Sequence, residues 1–303
     1  MKRAASREQG AGIAGPVSFC GLHLAHPIIN ASGTFDAIAA RRAFGDAVLE
    51  RFPFSAYVSK TITPQGRAGN PPPRLWEEPA GMVNSIGLPN KGATGFLDLD
   101  LPVLAELGVP LIVSVMATSA EGFAELVEAV AGRDEVSAIE LNVSCPNVHS
   151  GLIVGEQPSE TEALLAALRP LTPKPLIVKL TPNVADPSPI AAAAERGGAD
   201  AVALINTLKA MPLAPGGQPW LGAGAGGLSG PAVRTIALRQ VADVAREVSI
   251  PVVGMGGVER GAHARDLLEA GAAAVAVGTA SFRDPRAGER IREELGESPT
   301  AAA

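Results

Sequence analysis

Eight short apolar runs, spread along most of the chain, constrain the fold of this sequence more than any other feature. The runs are nearly continuous in apolar character, which is typical of strands in a parallel sheet that is covered on both faces. Ala- and Leu-rich stretches with helical spacing lie between many of them. The predicted strands are 27-PIINAS-32, 56-AYVSK-60, 110-PLIVSV-115, 138-AIELNV-143, 175-PLIVKL-180, 201-AVALIN-206, 251-PVVGMG-256 and 274-AVAVGT-279. The predicted helices include 120-AEGFAELVEAVAG-132, 160-ETEALLAALRP-170, 190-IAAAAERGG-198, 232-AVRTIALRQVADVAREV-248 and 262-AHARDLLEAG-271.

This alternation of strands and helices predicts an α/β fold, a single-domain (β/α)8 TIM barrel. An open, doubly wound parallel sheet is the alternative arrangement. We expect the barrel to span residues 16–292, with flexible tails at 1–15 and 293–303. Two segments, 61–92 and 207–230, are too long for ordinary connections. We expect them to be functional loops inserted on the C-terminal face, where barrel active sites lie.

The charge and the cysteine content exclude several classes of protein. The 303 residues include 25 basic and 31 acidic ones, a net charge of -6, so neither nucleic acid nor an anionic membrane is an expected partner. No apolar stretch approaches the length of a spanning helix, and the first residues lack the apolar core of a secretory signal, so the expected location is cytoplasmic. The 2 cysteines are too few for an iron-sulfur cluster, and the 4 histidines form no metal-binding motif, so no metal is predicted.

Lysines and glycines stand at the carboxyl ends of several predicted strands, the positions that face a barrel active site. Lys60 and Lys179 end two otherwise apolar strands, and charged groups removed from water need a compensating anion. The last two strand ends, 254-GMGG-257 and 277-VGTA-280, are rich in glycine, which lets backbone N–H groups approach a phosphate. The alternatives are lysines that reach a carboxylate at the rim and glycines that only form tight turns. These ends predict an electron-rich cofactor that carries a phosphate.

Cys145, in 141-LNVSCPNVHSG-151, is the candidate for chemistry after the fourth strand. Pro146 restricts the main chain beside it, and two side-chain amides, Asn142 and Asn147, flank it. A rigidly held thiol in a polar, solvent-reachable setting is a candidate base or nucleophile, whereas the alternative is a buried cysteine that only packs. Cys20 has no such setting, and we expect it to pack.

Several motifs, in one order along the chain, resemble those of the flavin-dependent dihydroorotate dehydrogenases. The motifs are 31-ASGTF-35, 59-SKTITP-64, 84-NSIGLPNKG-92, 142-NVSCPNV-148, 178-VKLTPNV-184, 205-INT-207, 226-GGLSGPA-232, 254-GMGGV-258 and 277-VGTA-280. The resemblance implies a (β/α)8 barrel that carries FMN and oxidises dihydroorotate to orotate in de novo pyrimidine (UMP) biosynthesis.

The resemblance also indicates a branch of the family. The membrane-attached class has serine at the position of Cys145 and an N-terminal anchor, so this chain is similar to the soluble, cysteine-using class 1. The pairing of 226-GGLSGPA-232 with 254-GMGGV-258 is similar to the catalytic subunit of the NAD-linked (1B) branch, which passes electrons to NAD+ through a separate iron-sulfur and FAD subunit. This implies a homodimer or a heterotetramer; a fumarate-using homodimer is the nearest alternative.

The same resemblance implies roles for individual residues. Cys145 would be the general base that removes a C5 proton while hydride leaves C6 for N5 of the flavin, with Lys60 contributing electrostatically. Lys179 would stabilise the negative charge that reduction places on the flavin. The FMN-binding residues would be Ser32, Lys60, Thr61, Ser114, Asn142, Lys179, Ile205, Gly230, Gly256, Gly257, Gly278 and Thr279. The substrate-binding residues would be Lys60, Asn84, Ser85, Ile86, Gly87, Leu88, Asn142, Asn147, Asn206 and Thr207. Relatives commonly have asparagine at the position of Ser114, so the shorter serine changes that expected flavin contact.

Two other functions fit parts of the pattern. Another FMN barrel reductase, such as a tRNA-dihydrouridine synthase, also uses a cysteine, but it would need a basic surface. A non-redox barrel that binds a phosphorylated substrate would account for the glycine-rich strand ends alone.

Overall fold

The computed structural model describes residues 6–7, 12–143 and 155–297. The strands, in chain order, are β1 Ser6–Arg7, β2 Val17–Phe19, β3 Leu22–Leu24, β4 Ile28–Asn30, β5 Tyr57–Val58, β6 Leu75–Glu78, β7 Gly81–Asn84, β8 Leu111–Val115, β9 Val136–Asn142, β10 Leu176–Lys179, β11 Ala201–Leu204, β12 Leu208–Ala210, β13 Gly226–Ser229, β14 Val252–Met255 and β15 Ala274–Val277. The helices are α1 Ala37–Phe44, α2 Ala47–Glu50, α3 Gly92–Gly95, α4 Leu101–Ala105, α5 Ala120–Ala131, α6 Pro158–Leu168, α7 Ser188–Arg196, α8 Arg234–Glu247, α9 Gly261–Glu269, α10 Ala280–Arg283 and α11 Ala287–Gly296. A π-helical turn, Phe96–Asp100, and two 3-10 turns, Arg169–Leu171 and Pro231–Val233, complete the helical segments.

A parallel sheet of eight strands forms the centre of the molecule. Its order is β4-β15-β14-β11-β10-β9-β8-β5, and β4 contacts β5, so the sheet nearly closes into a barrel with helices between the strands. Each predicted apolar run overlaps one of these strands, and each predicted helical stretch overlaps a helix. The (β/α)8 barrel is therefore confirmed over the open doubly wound sheet.

Side chains, those of Asn30 and Ser55, supply most of the hydrogen bonds across the seam between β4 and β5. Asn30, which is fully buried, donates from Nδ2 to the Val58 carbonyl at 2.8 Å and accepts from the Val58 N–H at 2.8 Å. Nδ2 also lies 3.1 Å from the Ala31 carbonyl, and the Ser55 N–H donates to the Ile28 carbonyl at 3.0 Å. An amide has both a donor and an acceptor, so Asn30 replaces a pair of backbone ladder bonds where the two end strands meet.

Two hydrophobic layers hold the barrel together. The outer layer lies between the strands and the helices, and its members include the inward faces of α5, α8 and α9. The inner layer consists of the inward-facing residues of the barrel strands, many of them alanines, packed with Phe19 and Leu24 of the β2–β3 hairpin. Because the hairpin shares this cluster with residues near the starts of the strands, it covers the N-terminal end of the barrel. The C-terminal end is left for a binding site.

The two long segments predicted as loops carry strands of their own. Strands β6 and β7 come from 61–92, β12 and β13 come from 207–230, and they form one antiparallel sheet in the order β12-β13-β7-β6. Glycines permit the close pairing: a Cβ at Gly227 would lie 1.9 Å from Thr207 Oγ1, and one at Gly81 would lie 2.1 Å from the Ser229 carbonyl oxygen. The sequence analysis predicted inserted segments on this face but not their strands, which are short and rich in Gly and Glu, residues with low strand propensity.

The ordered ends also extend beyond the predicted domain limits. Helix α11 continues past residue 292, and Leu295, one turn after Ile291, is fully buried. Near the other end, β1 pairs with β2, and Ile13 packs against the core. Residues 293–296 therefore continue helix α11 and do not form a flexible tail, and Leu295 belongs to the outer layer. Among the described residues, no helix combines the length and apolar character that crossing a membrane requires.

Candidate active site

A cavity of about 320 Å³ opens at the C-terminal end of the barrel, between the strand ends and the antiparallel sheet. Predicted site residues make up most of its lining. Those that line it are Ser32, Lys60, Thr61, Asn84, Ile86, Gly87, Leu88, Asn142, Lys179, Ile205, Asn206, Thr207, Gly230, Gly256, Gly257, Gly278 and Thr279. The fold therefore gathers residues from opposite ends of the chain into one cavity.

Four predicted residues are placed differently or lie outside the described part of the chain. Ser114 is fully buried, and Ser85 is 1% exposed; both lie behind the cavity lining. The Ser85 hydroxyl accepts a hydrogen bond from Asn70 Nδ2 at 2.9 Å. Cys145 and Asn147 fall outside the described residues, so their predicted roles stay predictions.

Lys179 supplies a buried positive charge at the end of β10. Its side chain is 5% exposed overall, and Nζ donates to Ser32 Oγ at 2.9 Å. Within the described ranges no carboxylate forms an ion pair with Lys179, so a hydroxyl is the partner that the protein offers its ammonium there. Lys60 runs along the cavity wall beside Gly33, where a Cβ would lie 3.5 Å from both Cγ and Nζ of Lys60. The buried Lys179 ammonium, which forms no ion pair with a carboxylate in the described ranges, favours an anionic or electron-rich ligand.

Glu140 is a functional candidate that the sequence analysis missed. It lies on β9 two residues before Asn142, and it is 4% exposed. Its Oε1 accepts from Ser114 Oγ at 2.8 Å, and Ser114 Oγ lies 2.9 Å from Thr61 Oγ1. The signal was present in 138-AIELNV-143, because a strand period of two places a carboxylate and an amide on the same face.

The loop at 84–88 reaches the cavity through backbone conformations that are unusual for most residues. Gly87 and Leu88 have φ values of 76° and 54°, in the left-handed region. A Cβ at Gly87 would lie 2.5 Å from the backbone N and the side chain of Asn70. The Asn70 N–H also donates to the Ile86 carbonyl at 3.0 Å. Asn70, which sequence reasoning missed, therefore holds this loop against the cavity.

A cradle of glycines lines the side of the cavity formed by β13, β14 and β15. Gly230, Gly256 and Gly257 have φ values of 92°, 132° and 68°. A Cβ at Gly257 would lie 2.7 Å from Arg234 Cβ and 3.0 Å from the Gly230 carbonyl oxygen, so only glycine fits there without strain. Beside the cradle, Thr279 Oγ1 donates to Ser229 Oγ at 2.9 Å. Ser229 lines the cavity too and was not predicted, although it lies in the 226-GGLSGPA-232 motif.

Cys20 lies apart from this cavity. It packs against the inner layer of the barrel, near the hairpin that covers the opposite end, and its Sγ lies 3.4 Å from the Asp200 carbonyl oxygen. Burial and the negative charge of Asp200 raise the pKa of the Cys20 thiol far above its usual range, so the reactive thiolate is disfavoured. This agrees with the expectation that Cys20 only packs. Among the described residues, no three His, Cys, Asp or Glu side chains form a group that could hold a metal.

Comparison with known proteins identifies the family. The family model for dihydroorotate dehydrogenase matches residues 16–298. The chain belongs to the dihydroorotate dehydrogenase family. This confirms the resemblance based on the motifs, and it decides against a tRNA-dihydrouridine synthase or a non-redox barrel.

Individual members of the family show the extent of the match. A catalytic subunit of dihydroorotate dehydrogenase B (NAD(+)) from Geobacter metallireducens is 42% identical over 281 residues, covering 92% of this chain and 91% of that protein. A protein of Solibacter usitatus whose name refers to dihydroorotate dehydrogenase A (fumarate) is also 42% identical, over 284 residues and the same shares of both chains. The crystal structure of a dihydroorotate dehydrogenase from Eimeria tenella, in complex with ferulenol, has the same fold: its TM-score is 0.76 at 21% identity, covering 95% of this chain and 85% of that one.

Proposed function

We propose that this protein oxidises dihydroorotate to orotate with FMN as its cofactor. The observation that carries the proposal is the Lys179 ammonium, buried beside Ser32 at a strand end without a carboxylate partner among the described residues. Members of the family with about the same length are named for this reaction. The cavity and the glycine cradle support FMN as the cofactor, and a row of side-chain amides supports a pyrimidine as the substrate.

The residues of the cavity fit FMN. The glycine cradle, together with Gly278 and Thr279 beside it, offers backbone N–H groups to a phosphate. A cavity of about 320 Å³ lies within the range of roughly 300–1,000 Å³ that cofactor sites span. Lys179 would hold the electron-rich edge of the flavin ring and stabilise negative charge there. When bound, FMN would supply the redox chemistry by accepting at N5 the hydride that leaves C6 of the substrate.

The remaining polar residues of the cavity fit a pyrimidine that carries a carboxylate. Lys60 would bind the carboxylate, and the amides of Asn84, Asn142 and Asn206 would bind the ring edges, because each amide both donates and accepts. The Thr207 N–H donates to Asn206 Oδ1 at 2.8 Å, which orients that amide within the cavity wall. Asn147 would add a further amide from the segment after β9.

Cys145 is the proposed general base. Its sequence position supports this role: it follows Asn142, a cavity residue, by three positions, and three residues span at most about 11 Å. Its thiolate would take the proton from C5 of dihydroorotate. An ordinary thiol titrates near a pH of about 8.5, so nearby positive charge, such as that of Lys60, would have to favour the thiolate near neutral pH.

We further propose that the electrons pass to NAD+ through a separate iron-sulfur and FAD subunit in the cytoplasm. The similar relatives include both NAD(+)-type catalytic subunits and a fumarate-type protein, so identity alone does not choose the acceptor. The 2 cysteines are too few for an iron-sulfur cluster in this chain, which is consistent with a cluster on another subunit. The assembly would then be a heterotetramer and not a homodimer. Purification from the native source tests this: a copurifying iron-sulfur flavoprotein supports it, and a lone dimer that reduces fumarate contradicts it.

The decisive test of the base is Cys145→Ser, followed by stopped-flow absorbance of the flavin. We expect the variant to keep FMN and to lose about 100-fold or more of its rate of reduction by dihydroorotate near neutral pH. Cys20→Ser is the matched control, because its thiol lies at the other end of the barrel, and it should react at the rate of the unaltered protein. A Cys145→Ser variant that is reduced at the unaltered rate would remove Cys145 as the base.

A further inference from the structure

Four polar side chains form a hydrogen-bonded row that starts at the cavity and ends in the barrel interior. Asn142 Nδ2 lies 3.1 Å from Thr61 Oγ1, which lies 2.9 Å from Ser114 Oγ, which in turn lies 2.8 Å from Glu140 Oε1. Asn142 and Thr61 line the cavity, whereas Ser114 and Glu140 lie behind it. The row therefore connects a carboxylate behind the cavity lining to an amide that faces the cavity.

The carboxylate gives the row a single direction. Ser114 Oγ donates its one hydroxyl proton to Glu140 Oε1, because a carboxylate oxygen accepts hydrogen bonds. Ser114 Oγ must then accept the proton of Thr61, and Thr61 Oγ1 must accept from Asn142. The backbone N–H of Ser114 does not interfere, because it donates to Ser59 Oγ at 3.0 Å. A row of hydroxyls and amides without a charged end could run in either direction.

We propose that Glu140 and Ser114 are positioning residues that orient the Asn142 amide. In this orientation the NH2 group faces Thr61, and the carbonyl oxygen points away from Thr61 for recognition of a ring N–H. This inference rests on the proposed function, since a pyrimidine substrate carries such N–H groups next to its carbonyls. The amide nitrogen is committed to Thr61 through one of its hydrogens. If the row ran the other way, Asn142 would give its oxygen to Thr61 and repel a ring N–H.

Neutron diffraction from a deuterium-exchanged crystal of the full chain, with the cofactor it carries when purified, tests the direction itself. We expect a deuteron on Ser114 Oγ that points at Glu140, one on Thr61 Oγ1 that points at Ser114, and two deuterons on the Asn142 atom nearest Thr61. A deuteron on Glu140 that points at Ser114, or one on Thr61 that points at Asn142, overturns the inference.

Calorimetry tests what the direction does for binding. Orotate and its 1-methyl and 3-methyl derivatives are titrated into the unaltered holoenzyme, Ser114→Ala, and Ser114→Thr, which restores a hydroxyl. We expect Ser114→Ala to bind orotate about tenfold more weakly, the usual effect of one lost or misdirected hydrogen bond, with partial recovery in Ser114→Thr. Each methyl group replaces one of the two ring N–H groups, so one of the two derivatives lacks the N–H that faces Asn142. We expect Ser114→Ala to leave the affinity for that derivative unchanged. Equal losses for all three ligands would indicate general damage to the site and would contradict the positioning role.

The two experiments separate the failure of this inference from the failure of the proposed function. If the unaltered holoenzyme does not bind orotate, the proposed substrate is wrong, and the neutron map still decides how Asn142 is oriented. If it binds orotate and Ser114→Ala binds it equally well, the substrate stands and the positioning role is refuted.

Discussion

Replacing Asn30 with leucine tests whether one amide closes the barrel. The substitution keeps the approximate volume of the side chain but removes three hydrogen bonds, two of them to Val58 across the seam. Each lost bond costs about 1 kcal/mol, and the Val58 N–H and C=O left unpaired in a buried site cost more, against a small gain from the added apolar surface. We therefore expect the free energy of unfolding to fall by about 3–5 kcal/mol.

Equilibrium unfolding in urea measures this loss. With a slope of about 3 kcal/mol per molar urea, at the upper end for this chain length, the midpoint should fall by about 1–2 M. Ile29→Val is the matched control, because Ile29 is the neighbouring buried residue on β4 and losing one methyl group there costs about 1 kcal/mol. Asn30 precedes Ser32 by two residues, and Val58 precedes Lys60 by two, so Asn30→Leu should also weaken cofactor binding. If Asn30→Leu costs no more than Ile29→Val, the seam does not depend on this amide.

Three further predictions concern the cradle, a buried histidine and the buried ammonium. Gly257→Ala should lower the free energy of unfolding by about 2 kcal/mol, measured by thermal denaturation, because the φ of Gly257 is 68°. It should also weaken FMN binding, measured by flavin titration. Gly278→Ala is the control for stability and should unfold like the unaltered protein, because its Cβ would lie 3.7 Å from the nearest atom. Burial lowers the pKa of His26 to about 4, so the unfolded chain binds more protons between a pH of about 4 and 6.5. The stability should therefore fall by up to about 3 kcal/mol as the pH drops through that window, and His26→Gln should lack this part of the loss in urea unfolding at pH values of about 7 and 4.5. Lys179→Met should bind FMN about tenfold or more weakly in a flavin titration, and potentiometry should show that the bound flavin is harder to reduce. Lys174→Met is the control and should change neither the affinity nor the potential, because the Lys174 ammonium donates to backbone carbonyls outside the cavity.

The central barrel could be predicted from the sequence because its strands are covered on both faces. Such strands are apolar throughout, so runs such as 201–206 and 274–279 stand out without any knowledge of their neighbours. The antiparallel sheet could not be predicted in the same way. Its strand β13 pairs with β7, more than a hundred residues earlier, and that pairing depends on the absence of a side chain at Gly226, where a Cβ would lie 2.4 Å from the Asn84 carbonyl oxygen.

The cavity could be predicted once the barrel was, because the carboxyl ends of parallel barrel strands meet at one face. Lys179, Asn142 and Thr279 were placed on the cavity by position alone. Asn70 was missed because its part is to fill the space opposite Gly87, a contact between two loops that no periodic pattern signals. Glu140 was missed for a different reason: it lies inside an apolar strand, and its position becomes informative only when the residues of the strand are assigned to the two faces.

The position of the candidate site follows from a change from apolar to polar residues on the inward face of three neighbouring strands. On each strand the change occurs between one inward-facing residue and the next. On β8, β9 and β10 the inward face passes from Ile112 to Ser114, from Ala138 to Glu140, and from Ile177 to Lys179. Below this level the interior is apolar and is covered by the β2–β3 hairpin, so polar groups could not be solvated there. Above it, the Asn142–Thr61–Ser114–Glu140 row satisfies the polar groups mutually. Lys179 and Glu140 belong to the same polar layer yet form no ion pair with each other. In the proposed function the ammonium would therefore remain available to a ligand, while the carboxylate would orient the amide that recognises one.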